Sequence, residues 1–326
     1  MNWCGKKVLI TGAGGFLGSH LTEELIRRKA DVRAMVHYNS QNSWGNLELL
    51  DSKPNVIAGD IRDPFFMRKA VKDCEYVFHL AALIAIPFSY IAPSEYIETN
   101  VKGTLNVMQA CLDEGVKKVV HTSTSEVYGT ARYVPMDEEH PLQAQSPYSA
   151  SKIGADKVAE SYFDSFGLPV ATLRPFNTFG GRQSARAVIP TIITQVLTQP
   201  TVKLGSLDPV RDFTYIDDTV DAFIKVAECR KAVGQVMNCG TGEARSIGSI
   251  ADFLNRMIAR NKVKLVRDAV RVRPKKSEVM WLECDNSKIR KLTGWKPTVE
   301  FERGLGCTAK YIQENISRYK PEIYNL

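Results

Sequence analysis

Three glycines, spaced three residues apart, dominate the N-terminal part of the sequence. Gly12, Gly15 and Gly18 follow a strand-forming run at residues 7–11 and begin an amphipathic helical pattern. A strand, a tight glycine turn and a helix in this order let the backbone approach a pyrophosphate, which the free N–H groups of the helix N-terminus then bind. The unit predicts a dinucleotide-binding α/β domain. The alternative is a glycine-rich turn that only packs the helix against the sheet.

The alternation of strand and helix patterns continues over the first half of the chain. Strand-like runs occupy residues 7–11, 32–37, 55–59, 76–79, 118–122 and 170–174, and helical patterns lie near 16–29, 64–72, 95–114 and 147–166. Such alternation predicts a Rossmann-type, doubly wound parallel sheet that is covered on both faces. Beyond residue 175 it weakens, apart from a helical pattern near 247–260. We therefore expect a dinucleotide-binding domain at 1–177 plus about 214–245, and a smaller α/β substrate domain, inserted and appended, at about 178–213 and 246–326.

Charge is unevenly distributed along this chain of net charge +7. Residues 256–276 hold nine basic side chains and one acidic side chain, so the rest of the chain is nearly neutral. Within this stretch, charged and apolar residues alternate at 262–267, which predicts a strand with one solvated face. The stretch contains no aromatic residue for stacking on bases, so we expect an anionic small molecule and no nucleic acid as the partner.

Cysteine spacing and hydropathy exclude further classes. The seven cysteines form no C-x-x-C pair, so neither a metal site nor a disulfide framework is expected. The N-terminus has no signal-peptide pattern. The longest uncharged stretch, residues 76–94, contains two prolines and a histidine, and therefore predicts a strand and a loop rather than a membrane span. We expect a soluble cytoplasmic protein without metal.

The residues that follow the second and third strands bear on the cofactor. No acid stands at the end of strand two to hold a ribose 2′-hydroxyl. His37, Asn39 and Ser40, with Arg33 nearby, offer donors for a 2′-phosphate instead, which favours NADP over NAD. Asp60, after strand three, is either an acceptor for the adenine amino group or the N-cap of the next helix.

Two further groups of residues carry candidate chemistry. Tyr148 and Lys152 stand four residues apart on one helix face, where an ammonium favours a phenolate that can accept a hydroxyl proton. Bringing a tyrosine pKa from about 10 to neutrality takes roughly 4 kcal/mol, which requires a partly dry site. Thr124 and Glu126 follow another strand at the carboxyl edge of the sheet, where doubly wound folds bind ligands. The alternative for Glu126 is a turn cap.

These motifs, with Arg174-Pro175-Phe176-Asn177 and residues 211–215, resemble the extended short-chain dehydrogenase/reductase family over essentially the whole chain. Within the family the chain is most similar to nucleotide-sugar 4,6-dehydratases, in particular those that act on GDP- or UDP-linked N-acetylglucosamine in nonulosonic (legionaminic) acid pathways. Residues 79–87 and 183–190 carry this narrower resemblance.

The resemblance implies a mechanism with a regenerated NAD(P). Tyr148, helped by Thr124, would take the proton of the sugar 4-hydroxyl while C4 is oxidised, and Glu126 would remove the C5 proton before water leaves C6. Ser125 stands where the deoxythymidine-diphosphate-glucose enzymes have an aspartic acid, so Glu126 would also protonate the leaving group. UDP-glucuronate decarboxylases share Thr-Ser-Glu, so decarboxylation or 4-epimerisation is the alternative. A non-catalytic nucleotide sensor is disfavoured by the intact catalytic set.

The resemblance also implies binding residues and an oligomer. The cofactor would contact the glycine turn and the edges of the following strands, at Gly12, Gly15, Phe16, Leu17, Gly18, His37, Asn39, Ser40, Asp60, Ile61, Ala81, Ala82, Asn100, Thr122, Tyr148, Lys152 and Pro175. The nucleotide sugar would contact Ile86, Asn177, Arg186, Arg211 and Arg273; the alternative for Arg186 is a surface residue. The helices near 95–114 and 147–166 would pair with those of a second copy in a four-helix homodimer interface.

Overall fold

Strands and helices alternate through most of the computed structural model, which describes residues 1–323. The strands are β1 Lys7–Thr11, β2 Asp31–His37, β3 Asn55–Gly59, β4 Tyr76–His79, β5 Lys118–Thr122, β6 Val170–Pro175, β7 Asn177–Phe179, β8 Thr201–Leu204, β9 Val210–Tyr215, β10 Val236–Cys239, β11 Ala244–Ser246, β12 Lys264–Arg267 and β13 Trp281–Leu282. The helices are α1 Phe16–Arg27, α2 Pro64–Val71, α3 Ile86–Ser89, α4 Pro93–Tyr96, α5 Gly103–Asp113, α6 Pro147–Phe166, α7 Val188–Thr198, α8 Ile216–Glu228, α9 Ile247–Ala259, α10 Ser287–Thr293 and α11 Phe301–Glu314.

The main sheet is parallel throughout. Over residues 1–323 it contains seven strands in the order β3-β2-β1-β4-β5-β6-β10. The strand order reverses beside β1, and β1 and β4 end next to each other at Thr11 and His79. This is the position at which doubly wound folds open a crevice for ligands. The predicted Rossmann-type sheet is confirmed.

Two apolar cores hold helices against the two faces of this sheet. On one face α1 and α8 bury Leu21 and Phe223 against β1 and its neighbours. On the other face α2, α5 and α6 bury Met67, Val107 and Ala159. Each fully buried large aliphatic side chain contributes roughly 2 kcal/mol relative to exposure. Both faces of the strands are therefore apolar, as the near-continuous β-branched runs predict.

A second, smaller lobe packs around its own core. Strand β9 pairs with β7, β11 and β13, and β8 pairs with β12. Helices α7, α9 and α11 cover these strands around Ile192, Phe213 and Leu254. The chain leaves this lobe at the end of β9, adds α8 and β10 to the main sheet, and then returns. The predicted strand at 262–267 is present as β12. The boundaries drawn between two domains stay a prediction.

The helical pattern predicted near 95–114 is not one regular α-helix. Between α4 and α5 the backbone takes a π-helical form over Ile97–Lys102, and within it lies Asn100. π-turns are rare and commonly occur at functional sites, where the extra residue redirects a side chain. Helices α7, α8, α10 and α11 were not predicted from the sequence. Helix α8 follows β9 without a side-chain cap, so no start signal separates the two elements.

The described residues include no helix that is long and apolar enough to cross a lipid bilayer. All seven cysteines are free thiols.

Candidate active site

The glycine turn brings α1 close to the end of β1. At Gly12 the φ angle is +70°, and a Cβ atom there would lie 2.8 Å from the backbone nitrogen of Ala81. At Gly18 a Cβ atom would lie 2.2 Å from the carbonyl oxygen of Gly12. Gly15 occupies the N-cap position of α1, and no side chain caps the helix. Phe16 and Leu17 begin that helix, so its N-terminus is available to an anionic group.

The loop after β4 is fixed beside this turn. The hydroxyl of Thr11 accepts hydrogen bonds from the backbone nitrogens of Leu80 and Ala81, both at 3.1 Å. Two residues further on, the Asn100 side chain accepts from the Leu83 nitrogen at 2.8 Å and donates to the Leu83 oxygen at 2.9 Å. The predicted cofactor residues on this loop, Ala81 and Ala82, therefore lie between two hydrogen-bonded anchors.

The end of β2 contacts an ion pair between Asp60 and Arg62 that was not predicted from the sequence. His37 Nε2 lies 3.3 Å from Asp60 Oδ2, and Arg62 donates to the same carboxylate through Nη2 at 2.7 Å. Burial opposes ionisation of Asp60, but the hydrogen bonds and charge of Arg62 lower its pKa. Helix α2 is capped by Asp63, so the helix-cap alternative for Asp60 is wrong. Its contact with adenine stays a prediction, and the neighbouring Ile61 is buried.

Two other residues proposed for a 2′-phosphate are engaged elsewhere. Arg33 donates to the carbonyl oxygens of Ala70 and Lys72, at 2.7 and 2.9 Å, and so caps the C-terminal end of α2. Arg33 lies opposite Leu9 in the middle of β1, whereas a nucleotide would bind at the carboxyl end of the sheet. The expectation that Arg33 serves the phosphate is wrong. Asn39 closes its own turn on the backbone of Ser43, and Ser40 is exposed.

Tyr148 lies in the first turn of α6, which begins with a capping box between Ser146 and Ser149. Its ring is 7% exposed, and its hydroxyl is hydrogen-bonded to Thr124. Burial raises the pKa of Tyr148, the hydrogen bond from Thr124 opposes that shift, and the negative charge of Glu126 adds to it. The predicted acid–base residues are thus brought together, and burial favours the neutral phenol of Tyr148.

Lys152 lies one turn further along α6 and is also buried. Its Nζ donates to the carbonyl oxygen of Thr122 at 2.6 Å, while the Thr122 hydroxyl is buried without a partner. Burial lowers the pKa of Lys152 to about 8, and the charge of Asp156 opposes that change. Strand β6 ends nearby at Pro175, which is buried. The Lys152 ammonium and the Thr122 hydroxyl therefore both lie at the carboxyl end of β5.

The turn after β5 orients the candidate base. Thr124 accepts from the Glu126 nitrogen at 3.2 Å and caps a 3₁₀ turn over Ser125–Tyr128. Within this turn Ser125 is only 2% exposed, whereas Glu126 is partly exposed. Glu126 is therefore the residue of the Thr-Ser-Glu motif whose carboxylate is accessible.

A cluster of charged side chains faces Glu126 from the smaller lobe. Arg211 is 5% exposed, and its Nη2 lies 3.4 Å from Glu278; Arg273 Nη1 lies 3.5 Å from the same carboxylate. Burial lowers the pKa of Arg211, and the nearby charges of Glu126 and Arg273 act on it in opposite directions. Glu278 was missed because it belongs to no motif and lies in a loop. Two arginines share one glutamate, which leaves positive charge for a diphosphate.

The other predicted substrate residues surround the same cleft. Asn177 lies on β7 beside β9, the strand of Arg211, and its buried Oδ1 has no hydrogen-bond partner in the described part of the chain. Ile86 packs with Tyr96 and Tyr148, whose rings meet edge to face at 6.2 Å. Burial raises the pKa of Tyr96, and the charge of the exposed Arg186 lowers it, which places Arg186 near this apolar wall.

A family model described as GDP-mannose 4,6 dehydratase matches residues 9–308. The chain belongs to this family. Its relatives include the dTDP-D-glucose 4,6-dehydratase of Mus musculus, which is 32% identical over 97% of this chain and 91% of the relative. A UDP-N-acetyl-alpha-D-glucosaminuronate decarboxylase from Bacillus cytotoxicus is 31% identical over 95% and 98% of the two chains.

Solved structures of enzymes that act on nucleotide sugars share the fold over nearly the whole chain. DesIV, a dTDP-glucose 4,6-dehydratase from Streptomyces venezuelae with NAD and TYD bound, matches with a TM-score of 0.88 at 30% identity, covering 97% of this chain and 99% of DesIV. TunA, described as an NAD-dependent NDP-hexosamine 5,6-dehydratase, matches at 0.84 with 27% identity over 94% and 97% of the chains. The resemblance to extended short-chain dehydrogenase/reductase enzymes that act on nucleotide sugars is confirmed.

The residues of this chain fit a nicotinamide dinucleotide. The glycine turn leaves no room for side chains at Gly12 and Gly18, the N-terminus of α1 lacks a side-chain cap, and the Thr122 hydroxyl has no hydrogen-bond partner among residues 1–323. A buried polar atom without a partner is costly, so a ligand group at this position would satisfy it.

Proposed function

We propose that the chain is a nucleotide-sugar 4,6-dehydratase, which converts an NDP-hexose to the 4-keto-6-deoxy sugar. The observation that carries this proposal is the place of Glu126. Its charge acts both on Tyr148, the candidate base for C4 oxidation, and on Arg211, a candidate diphosphate ligand. A carboxylate between these two residues faces the part of a sugar that lies next to C4. A 4-epimerase needs no such carboxylate, whereas an elimination does.

The cofactor would be held by the glycine turn, the N-terminus of α1, Thr122 and Lys152. When bound, the nicotinamide supplies a hydride acceptor for oxidation at C4 and a hydride donor for C6. We propose NAD rather than NADP, since Arg33 is held at α2 and the anionic Asp60 beside His37 would repel a 2′-phosphate. Titration of the protein with each dinucleotide tests this choice, and tighter binding of NADP would contradict it.

Tyr148 takes the proton of the sugar 4-hydroxyl. Burial favours the neutral phenol, so the phenolate depends on the hydrogen bond from Thr124 and on the positive charge of Lys152 nearby. General-base catalysis of this kind contributes about 10²–10⁴-fold to the rate.

Glu126 performs the elimination. The ketone at C4 acidifies the C5 hydrogen, which brings it within reach of a carboxylate base. The Ser125 hydroxyl is a poor acid and is buried, so Glu126 passes the same proton to the C6 hydroxyl, which leaves as water. After C6 is reduced, C5 receives a proton from solvent through Glu126. Atoms and charge balance, and one solvent hydrogen ends on C5.

The sugar that fits best is an N-acetylhexosamine. Beside Tyr148, Leu83, Ile86 and Tyr96 form an apolar wall that suits the methyl of an acetamido group, and Arg186 lies at its edge. We propose N-acetylglucosamine linked to GDP or UDP, as in the nonulosonic (legionaminic) acid type of pathway. Arg211, Arg273 and Asn177 would hold the diphosphate and sugar.

We also propose a homodimer formed through the segment 97–113 and α6. Ile97 and Leu105 on this segment are 48% and 41% exposed, and Phe166 at the end of α6 is 58% exposed. Apolar side chains on neighbouring helices favour pairing with the same face of a second copy. Sedimentation at micromolar concentration tests this, and a monomer would contradict it.

One mass spectrum tests the reaction. The purified protein is incubated with GDP- and UDP-linked hexoses, N-acetylhexosamines and hexuronates. We expect a product lighter by one water from an N-acetylhexosamine. A product lighter by carbon dioxide would identify a decarboxylase, and an isomer of unchanged mass would identify an epimerase; either result overturns the proposal.

Decarboxylation of a hexuronate is the second candidate. One specific observation favours it: the buried guanidinium of Arg211 lies near Glu126, where it could neutralise a substrate carboxylate. The relative from Bacillus cytotoxicus, described as a decarboxylase, is consistent with this reaction.

A further inference from the structure

Three residues of one stripe on α6 each act on the end of β5 or on the turn that follows it. Tyr148 is hydrogen-bonded to Thr124, and Lys152 donates to the Thr122 carbonyl at 2.6 Å. Asp156, four residues after Lys152, contacts the remaining residues of the strand end. Positions four apart share one helix face, so the stripe follows from the sequence spacing.

Asp156 is 4% exposed, and each of its oxygens accepts hydrogen bonds. Ser123 Oγ donates to Oδ2 at 2.6 Å, and His121 Nε2 donates to Oδ1 at 3.1 Å. Arg174, on β6, donates to Oδ2 through Nη2 at 3.0 Å and Nε at 3.2 Å. The carboxylate thus joins α6, β5 and β6 at the point where β5 leads into Thr124 and Glu126.

Few other charges face Lys152 in this buried region. From β4 and β5 it faces His79 and His121, and burial lowers the pKa of both imidazoles. From β6 it faces Arg174 across Asp156, and on its own helix it faces Tyr148. The hydroxyl of Tyr128 engages the Nη1 of Arg174 at 3.0 Å. Among these groups Asp156 is the anion: it forms an ion pair with Arg174, and its charge raises the pKa of both Lys152 and Tyr148.

We propose that Asp156 is a positioning residue for the oxidation at C4: its hydrogen bonds with Ser123, His121 and Arg174 fix the end of β5 so that Thr124 and Glu126 face Tyr148. The proposal depends on the proposed function only in assuming that the sugar is oxidised at C4. Oxidation at C4 is shared by dehydration, decarboxylation and 4-epimerisation, so any nucleotide sugar that reduces the bound cofactor serves as the probe.

The variant Ser123→Ala removes one of these hydrogen bonds and leaves every charge in place. In single-turnover measurements of cofactor reduction, we expect the rate to fall about tenfold while KM changes less than twofold. In the ligand-free protein, amide hydrogen exchange over residues 124–129 should become about tenfold faster. The matched control is Ser161→Ala on α6, which is exposed and hydrogen-bonds only within its own helix; both measurements should stay at the wild-type values.

The variant Asp156→Asn tests the carboxylate itself. If the amide nitrogen takes the place of Oδ2, it cannot accept from Ser123 and Arg174, so the rate of cofactor reduction should fall at least tenfold while KM changes less than twofold. Asp156→Glu should restore part of the rate. Asp156→Asn leaves the Arg174 guanidinium without its carboxylate partner, so the folded fraction is measured first by circular dichroism. If Asp156→Asn does not fold, Ser123→Ala alone tests the positioning role.

Three outcomes would overturn the proposal. These are an unchanged rate and unchanged exchange in folded Ser123→Ala, a rate loss that only follows the folded fraction, and an unchanged rate in folded Asp156→Asn. A sugar that reduces the cofactor but never loses water would instead overturn the proposed dehydration and leave Asp156 testable.

Discussion

The Nζ of Lys152 lies 2.6 Å from the carbonyl oxygen of Thr122. This contact ties α6 to the last residue of β5, two positions before Thr124. Lys152 therefore acts on Tyr148 through its charge and through the strand end that orients Thr124. The catalytic pair is part of the packing between one helix and one strand, and a change in either element changes the site.

Lys152→Met should slow the oxidation of the sugar by about 100-fold or more, because the charge that favours the Tyr148 phenolate is lost. The wild-type rate should rise with pH up to about 8 and level off above it, since burial lowers the pKa of Lys152 to that value and the ammonium–phenolate state holds as many protons as the neutral amine with the phenol. Stopped-flow absorbance of the reduced cofactor measures both effects. Lys157→Met, on the exposed face of α6, is the control. A rate that is independent of pH between 7 and 9 would contradict this role.

Gly18→Ala should abolish measurable dinucleotide binding and lower the free energy of unfolding by about 2 kcal/mol. The added Cβ would lie 2.2 Å from the Gly12 carbonyl oxygen, so the helix would have to move away from the turn. Gly306→Ala is the matched control, because a Cβ there meets no atom within 4 Å and the helix should gain about 0.5–1 kcal/mol. Calorimetry and denaturant titration report the two quantities. Tight binding by Gly18→Ala would show that α1 does not need this close approach.

His20 should make the protein sensitive to acid. Burial and the charge of Arg182 lower its pKa to about 4, while its hydrogen bond with the Gly181 oxygen opposes the change. In the unfolded chain His20 is protonated below about pH 6.5, whereas in the native state it stays neutral down to about pH 4. The free energy of unfolding therefore falls by about 3 kcal/mol as the pH drops from about 6.5 to about 4. His20→Gln should lose about that much less over the same interval in urea titrations. Parallel curves for the two proteins would exclude His20 as the cause.

The parts of the fold and site that follow from local signals were predictable from the sequence. The glycine turn, the parallel strands and the approach of Thr124, Glu126 and Tyr148 all depend on strand ends and helix spacing, which are visible in the sequence. In a parallel sheet the carboxyl ends of the strands meet at one edge, so residues far apart in sequence converge there.

Other parts depend on contacts that only the folded chain defines. The prediction for Arg33 was wrong because the position of this residue on β2 does not show that its guanidinium reaches the end of α2. Glu278 was not predicted because it belongs to no motif and is defined by its contact with Arg211 from a distant segment. Asp156 shares a helix face with Tyr148 and Lys152, but its role depends on Arg174 and Ser123 from other elements. The π-helical turn at Asn100 likewise has no local sequence signal, and its Asn100 side chain is hydrogen-bonded to the backbone of Leu83 in a separate segment.

The most direct test of the account is the variant Glu126→Gln with the nucleotide sugar that the wild-type protein dehydrates. The reaction is run in deuterated water and followed by cofactor absorbance and by mass spectrometry of the sugar. We expect the wild type to release water and place one deuterium on C5, whereas the variant should reduce its cofactor and release no water. Dehydration by Glu126→Gln at the wild-type rate would contradict the assignment of Glu126 as the base that removes the C5 proton.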